Sequence, residues 1–170
     1  MVKPLTMGAS HFNSNQYEIQ RTNNFEVIFP GDIFGEEFTL LAESFRVPEV
    51  SVGNIVVDYG NNSVKVAGKA ETTDSDLVIK DAILINAEKM IFNWFNKVYD
   101  AKTDRIGWVE QYKRTIFVNQ YGPDGTVMRQ WKCIGCWPTK VSSTEYNQGQ
   151  SEKRMITINV SIDKAYPILD

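Results

Sequence analysis

Arg114-Thr-Ile-Phe-Val-Asn-Gln-Tyr121, Val127-Met-Arg-Gln-Trp-Lys-Cys-Ile134, Gly135-Cys-Trp-Pro-Thr139 and Lys153-Arg-Met-Ile-Thr-Ile-Asn-Val-Ser-Ile-Asp163 decide the fold. They lie in one stretch, Tyr112 to Asp163. The first two segments are β-rich arms joined through Gly122-Pro-Asp-Gly125, so they read as a hairpin. The third reads as a corner. The last alternates strictly. Arg154, Ile156, Ile158, Val160 and Ile162 point one way; Met155, Thr157, Asn159, Ser161 and Asp163 point the other. Such a strand has a core side and a solvent side. The whole stretch makes sheet and offers no catalytic group.

Working outward, Phe25–Phe29 and Phe38–Phe45 read as strands, with Pro30-Gly31 between them. Val50 to Tyr59 is rich in β-branched residues, with Gly53 as a bulge or bend, and Gly60-Asn-Asn-Ser63 signals a hairpin turn back into Val64–Ala67. Gly68–Ser75 reads as a polar connection, and Asp76–Lys80 as another strand. Ile83, Ala87, Met90, Ile91, Trp94, Phe95 and Val98 recur at helical spacing, which predicts one helix near residues 82–99, capped by Asp81 or Asn86. Ile91, Trp94, Phe95 and, from the corner, Trp137 are the expected core residues. Residues 100–107 form a charged surface linker. The count is about eight strands and one helix. The fold class is α+β, mainly β: antiparallel sheets forming a sandwich or barrel with one flanking helix.

The chain has 170 residues, enough for one domain with its own core. Residues 1–22 are polar and read as an N-terminal arm; residues 23–170 form the domain. Two readings of the arm stay open: a frayed terminus, or, since Phe12, Tyr17 and Ile19 are apolar groups that a simple frayed tail does not need, an arm that orders when it lies on a neighbouring subunit. The net charge of −3 speaks against a nucleic-acid binder, which needs basic excess to neutralise phosphate. The N-terminus lacks a signal-peptide core, and no run is long and apolar enough to span a membrane. Assembly in a cytoplasm is expected.

The carboxylates are scattered. Asp100, Asp104 and Asp124 fall in turns, where Asp bonds its local backbone. The only histidine is His11, in the polar arm. No phosphate loop, nucleophile elbow, zinc-helix or dinucleotide motif occurs. Cys133-x-x-Cys136 lacks two further zinc ligands and sits in and beyond a strand, not at a helix N-terminus. It reads as two small buried thiols. No enzyme activity, cofactor or metal is expected.

Tyr112-Lys113, Gln120-Tyr121, Gly135-x-Trp137-Pro138-Thr139-x-Val141 and the closing alternating strand resemble tail tube proteins of contractile-tailed bacteriophages. Val64-Lys-Val-Ala-Gly68 and the helix carrying Phe92-Asn93-Trp94 fit the same family, so the resemblance covers Asn24 to Ala165. The arm and the C-x-x-C depart from it. The resemblance implies two packed antiparallel sheets with a flanking helix. It implies homohexameric rings that stack into a hollow tube inside a contractile sheath, their strands joined edge to edge in one β-barrel. Closure removes exposed edges, which otherwise invite aggregation.

It also implies a virion component, built in the host bacterial cytoplasm, that conducts the DNA genome without sequence-specific binding. Its implied partners are further copies of itself, tail sheath, tape-measure, baseplate and tail-terminator proteins. Six copies of −3 put −18 formal charges on each ring. A DNA conduit avoids counterion-release affinity, so a lumen that is acidic or neutral-polar is expected. Candidate interface residues are Val50, Val52, Val56, Val57, Tyr59, Asn61, Asn62, Val64 and Val66 of the hairpin, with Phe12 and Tyr17 of the arm. Candidate lumen residues are Met155, Thr157, Asn159, Ser161 and Asp163. Three alternatives stay open: the tube of another contractile injection system, a β-sandwich binding module using Tyr99, Trp108, Tyr112 or Trp131, and a baseplate or tail-terminator relative that forms one ring but no long tube.

Overall fold

A computed structural model describes residues 20–31, 34, 39, 41–143, 146, 148–149 and 151–168. In chain order the strands are β1 (Phe25–Ile28), β2 (Ala42–Phe45), β3 (Val50–Tyr59), β4 (Asn62–Thr72), β5 (Ser75–Lys80), β6 (Tyr99–Asp100), β7 (Arg105–Ile106), β8 (Arg114–Tyr121), β9 (Val127–Ser143), β10 (Met155–Ser161) and β11 (Lys164–Ile168). Helix α1 spans Ala87–Val98, and α2 is one turn, Val109–Tyr112. The class is as expected, mainly β with one substantial helix.

The organising element is β9, 17 residues long. Its first half pairs with β8 on one side and β11 on the other, and its second half pairs with β10. Two antiparallel sheets result, β1-β8-β9-β11 and β9-β10-β5-β2, joined through the bend in β9. Strands that change sheet at a bend are how orthogonal sandwiches turn corners. The bend is at Gly135, whose φ of +72° costs an L-residue. Between Arg114 and Ile116 the register slips, so Cys136 and Cys133 face those two residues with one extra residue bulged out. The bulge explains the C-x-x-C. Three apart on an ordinary strand means opposite faces, yet here both cysteines are fully buried.

The inner faces and α1 share one core. Val27, Ile116, Cys133 and Ala165 come from the first sheet; Leu77, Ile79, Ile156, Ile158 and Val160 come from the second; Ala87, Ile91 and Trp94 come from α1. Each fully buried aliphatic side chain contributes about 1.5–3 kcal/mol. Trp94 is edge-on to Phe34 at 5.4 Å and Phe29 at 6.2 Å. Its Nε1–H donates to the Tyr112 carbonyl at 2.7 Å, which satisfies the one polar atom on the ring. Arg154 fixes the other end of α1: its guanidinium donates to both oxygens of Glu88, at 2.8 and 3.0 Å, and to Asp81 at 2.8 Å. The Glu88 hydrogen bonds raise the Arg154 pKa further above its ordinary value.

Several boundaries differ from the sequence reading. The helix begins at Ala87, not near 82, because Asn86 takes a left-handed φ of 47° and its Oδ1 caps Lys89 N–H at 3.1 Å. Ile83 therefore lies off the helix and is 98% exposed. Phe95 and Trp137 are half-buried, at the rim of the core; Trp137 instead meets Tyr112 edge-on at 5.8 Å. The Gly135–Thr139 corner does not end the strand, since Trp137 and Pro138 pair with Ser161 and Val160 of β10 and a second register slip at Thr139 carries the ladder on to Lys140. The Gly68–Thr72 stretch is strand, not connection. The sequence count also lacked β6, β7 and β11. Of the expected Phe38–Phe45 strand, residues 42–45 form β2, while residues 38 and 40 lie outside the described set.

Candidate assembly surfaces

The β3–β4 hairpin stands apart from both sheets as its own two-stranded ribbon. All ten residues of β3 are exposed. Its turn is Gly60-Asn61, with Gly60 at φ +58°, the first-position glycine that a tight hairpin turn of type II′ uses. The register slips at Gly53, as the sequence suggests, and there Gly68 approaches so closely that a β-carbon would lie 3.0 Å from the Gly53 carbonyl oxygen. The root is tied by Thr73 N–H to the Glu49 carbonyl and by Glu49 N–H to Thr73 Oγ1, both 2.9 Å.

Cross-strand pairing sorts the hairpin into faces. Ile55 sits opposite Val66, and Val57 opposite Val64. With Tyr59 they share one apolar face, yet they are 39–70% exposed. Val56 lies on the other face, opposite Lys65. Val50 and Val52 near the root are also half exposed, and Asn61 and Asn62 form the polar tip. Ile55 belongs to this surface although the sequence reading left it out; its two-residue spacing from Val57 is the signal that finds it.

The second sheet has a solvent side. Met155, Thr157, Asn159 and Ser161 are half exposed on β10 and alternate with buried Ile156, Ile158 and Val160. Asn159 joins three strands: its Nδ2 donates to Asp76 Oδ1 at 2.9 Å, and Thr139 Oγ1 donates to its Oδ1 at 2.6 Å. Lys140 and Lys80 extend along this face opposite Asn159 and Met155. Glu43 accepts from Lys153 and from Lys80, and these bonds hold its carboxyl below the usual carboxylate range. The strands of this face thus carry Glu43 and Asp76 against Lys80 and Lys140. Asp163 lies past the end of β10 and pairs with Lys113 Nζ at 2.6 Å.

This sheet also has two open edges among the described residues. One is β2. The other is the Trp137–Ser143 half of β9, which pairs only with β10. In the first sheet β11 carries Pro167, which removes one backbone donor from that edge.

Elsewhere the polar groups serve local structure. Asp100 accepts from Lys102 N–H and Thr103 Oγ1, and Asp124 accepts from Thr126; these bonds hold both carboxyls below the ordinary range. Cys133 and Cys136 are free thiols sharing a hydrogen bond, and that bond together with burial pushes the Cys136 thiol up. Among the described residues no cluster of three or more His, Cys, Asp or Glu could hold a metal ion. No described helix is long and apolar enough to cross a membrane. Of the exposed aromatics, Trp108 and Tyr99 are exposed while Tyr112 and Trp131 are half-buried. Phe12, Tyr17 and His11 lie outside the described residues.

Comparison with known proteins agrees with this architecture. The model of the family described as T4-like virus tail tube protein gp19 matches residues 21–165. No curated protein matches. Among solved structures, the anti-feeding prophage tube terminating cap is similar with a TM-score of 0.72 at 17% identity, over 90% of this chain and 93% of that one. The sheath/tube terminator of the extracellular contractile injection system PVC gives 0.71 at 16% identity, over 92% and 100%. The sheath–tube complex of PVC in the extended state gives 0.66 at 18%, over 96% and 99%. At these identities the likeness is one of fold.

Proposed function

Since the chain belongs to the T4-like virus tail tube protein family, we propose that six copies close into a ring and that rings stack into the inner tube of a contractile tail. The observation that carries this reading is the apolar hairpin face of Ile55, Val57, Tyr59, Val64 and Val66, paired in a ribbon yet 39–70% exposed among the described residues. Burying even three such half-exposed side chains contributes several kcal/mol to association, at about 25 cal/mol per Å² of apolar surface.

The open edges supply the second contact. Strand β2 of one copy pairs with the Trp137–Ser143 edge of the next, and six repeats close a barrel with no free edge. The solvent side of the β2-β5-β10-β9 sheet then lines the lumen, with Met155, Thr157, Asn159 and Ser161 among its residues. On its strands Glu43 and Asp76 stand against Lys80 and Lys140, and Asn159 is bonded to Asp76 and Thr139. A polyanion passing such a wall meets no excess of cations, so counterion release gives it no reason to stay. On this reading DNA is the cargo and the particle is a virion. A sheath would surround the tube, with tape-measure, baseplate and terminator proteins at its core and ends. The arm of residues 1–22 would lie on a neighbouring copy.

One observation favours a second reading. Two of the similar solved structures above come from the extracellular contractile injection system PVC, one of them a sheath–tube complex. A tube of that kind would share the ring, the stack and the sheath and differ only in cargo. Nuclease protection separates the two: DNA retained in particles assembled around this chain supports the phage tail, and particles free of nucleic acid support the injection machine.

Negative-stain microscopy of the purified chain tests the proposal itself. Deleting Gly60–Ser63 is expected to abolish tubes. Normal tubes from that variant would remove the hairpin from the stacking contact.

A further inference from the structure

The chain has two cysteines, and the corner of β9 brings them together. On a regular strand, residues three apart point to opposite faces. Here the register slips between Arg114 and Ile116, and Gly135 bends the strand. Cys133, opposite Ile116, and Cys136, opposite Arg114, therefore turn to one side and are both fully buried. Both are free, and the Cys136 S–H donates to the Cys133 sulfur.

Packing alone does not call for this pair, since any small apolar side chain fills such a site. Two facing thiols add a chemistry that one thiol lacks: each can attack a sulfur oxidised on the other. The shared hydrogen bond also makes them unequal. It holds the Cys133 thiol below its ordinary value and, with burial, pushes the Cys136 thiol up. Cys133 is thus the better nucleophile and Cys136 the resolving partner. The surroundings favour a neutral product. Ile116 and Ala165 stand opposite Cys133 in the ladder, and both are buried in the core. A thiophilic metal would need both sulfurs as anions there, whereas a disulfide carries no charge.

We infer that Cys133 and Cys136 close to an intrachain disulfide when the chain meets a hydroperoxide. The Cys133 thiolate attacks the peroxide, the O–O bond breaks, and Cys133 becomes a sulfenic acid. The released hydroxide takes up the Cys133 proton as water. The Cys136 sulfur then attacks the sulfenic sulfur, the S–S bond forms, and a second water leaves with the Cys136 proton. Two electrons pass from the two sulfurs to the peroxide. Neither thiol is exposed, so closure waits on local opening of the corner and is slow. The bond then ties together the two residues that flank the Gly135 bend, where β9 passes from one sheet to the other. A reducing compartment keeps the pair open, and an oxidising one keeps it closed. The dithiol is internal to one chain, so its failure to close leaves the assembly proposed above untouched.

The test exposes the folded full-length chain to hydrogen peroxide, denatures it, alkylates every free thiol and weighs the intact chain. The expected product takes no alkyl group, is lighter by two hydrogens at the cysteines, and takes two alkyl groups after reduction with dithiothreitol. Met128, 60% exposed, supplies the control, because its sulfoxide shows that peroxide reached the protein. In Cys136→Ala the sulfenic acid has no resolving partner, so dimedone is expected to label Cys133. Circular dichroism checks that this variant folds, and the wild-type masses decide the matter without it. A wild type that keeps both thiols while Met128 is oxidised would overturn the inference. So would bridges between chains, sulfinic acid without an internal bridge, or closure that occurs only in urea.

Discussion

Gly135 and Asp163 meet at the corner of the fold so closely that a β-carbon on Gly135 would lie 2.1 Å from Asp163 Oδ2. The same carboxylate oxygen accepts from Lys113 Nζ at 2.6 Å, and Asp163 N–H donates to the Ile134 carbonyl at 3.1 Å. Three segments are pinned together at the point where β9 passes from one sheet to the other. The corner has no room for a side chain, and its backbone conformation suits only glycine.

Gly135→Ala is therefore expected to destabilise the monomer by about 2–4 kcal/mol. Roughly 1–2 kcal/mol comes from the left-handed backbone, and the rest from displacing Asp163. Urea denaturation checks it, and an unchanged midpoint would refute the account of the corner.

Trp94→Ala is expected to cost about 3–5 kcal/mol, the range for emptying a fully buried aromatic site. Trp94→Phe keeps most of the volume but leaves the Tyr112 carbonyl without its donor, so a smaller loss, about 1–3 kcal/mol, is expected. The order of the two midpoints is the measurement. Equal losses would show that the hydrogen bond, not the packing, dominates.

Acid should loosen the second sheet through Glu43. Lys153 and Lys80 hold its carboxyl below the ordinary value in the folded chain. A depressed folded pKa means that the stabilisation is present above the ordinary carboxylate pKa and disappears as pH falls through the folded one. Glu43→Gln should therefore lower the thermal midpoint slightly at neutral pH and leave it unchanged at strongly acid pH. A difference that grows toward acid would contradict the sign.

The hairpin should matter for assembly and not for the monomer. None of its ten β3 residues is buried in the chain's own core. Val56→Pro removes a backbone donor from the ribbon. Its monomer should keep its thermal midpoint within a few degrees while tubes disappear. A large midpoint loss would show that the hairpin packs on its own subunit.

The residues that declare themselves in sequence are those whose surroundings are local. The alternation of Ile156, Ile158 and Val160 against Thr157 and Asn159 shows in the residue order because one side faces the core along the whole of β10. The buried face of α1 is legible for the same reason, through Ile91 and Trp94. Gly68–Thr72 misleads because β4 is solvated on both sides, so its polarity reports exposure and not the absence of a strand. The continuation of β9 through Pro138 is hidden, since a Gly and a Pro in five residues normally end a ladder; β9 continues with one bulge opposite Arg114–Ile116 and a second opposite Asn159–Val160, beside Pro138. Pro167 hides β11, which tolerates it as an edge. The hairpin's exposure is not written in its residues at all. Val57 opposite Val64 would look the same in a buried sheet, and only the tertiary arrangement leaves that pair in water.

The most direct measurement is negative-stain electron microscopy of the purified wild-type chain over a range of concentrations, with the Gly60–Ser63 deletion beside it. The account predicts six-fold rings and stacked tubes from the wild type, and folded protein without tubes from the deletion. A wild type that remains a monomer at every concentration would contradict it.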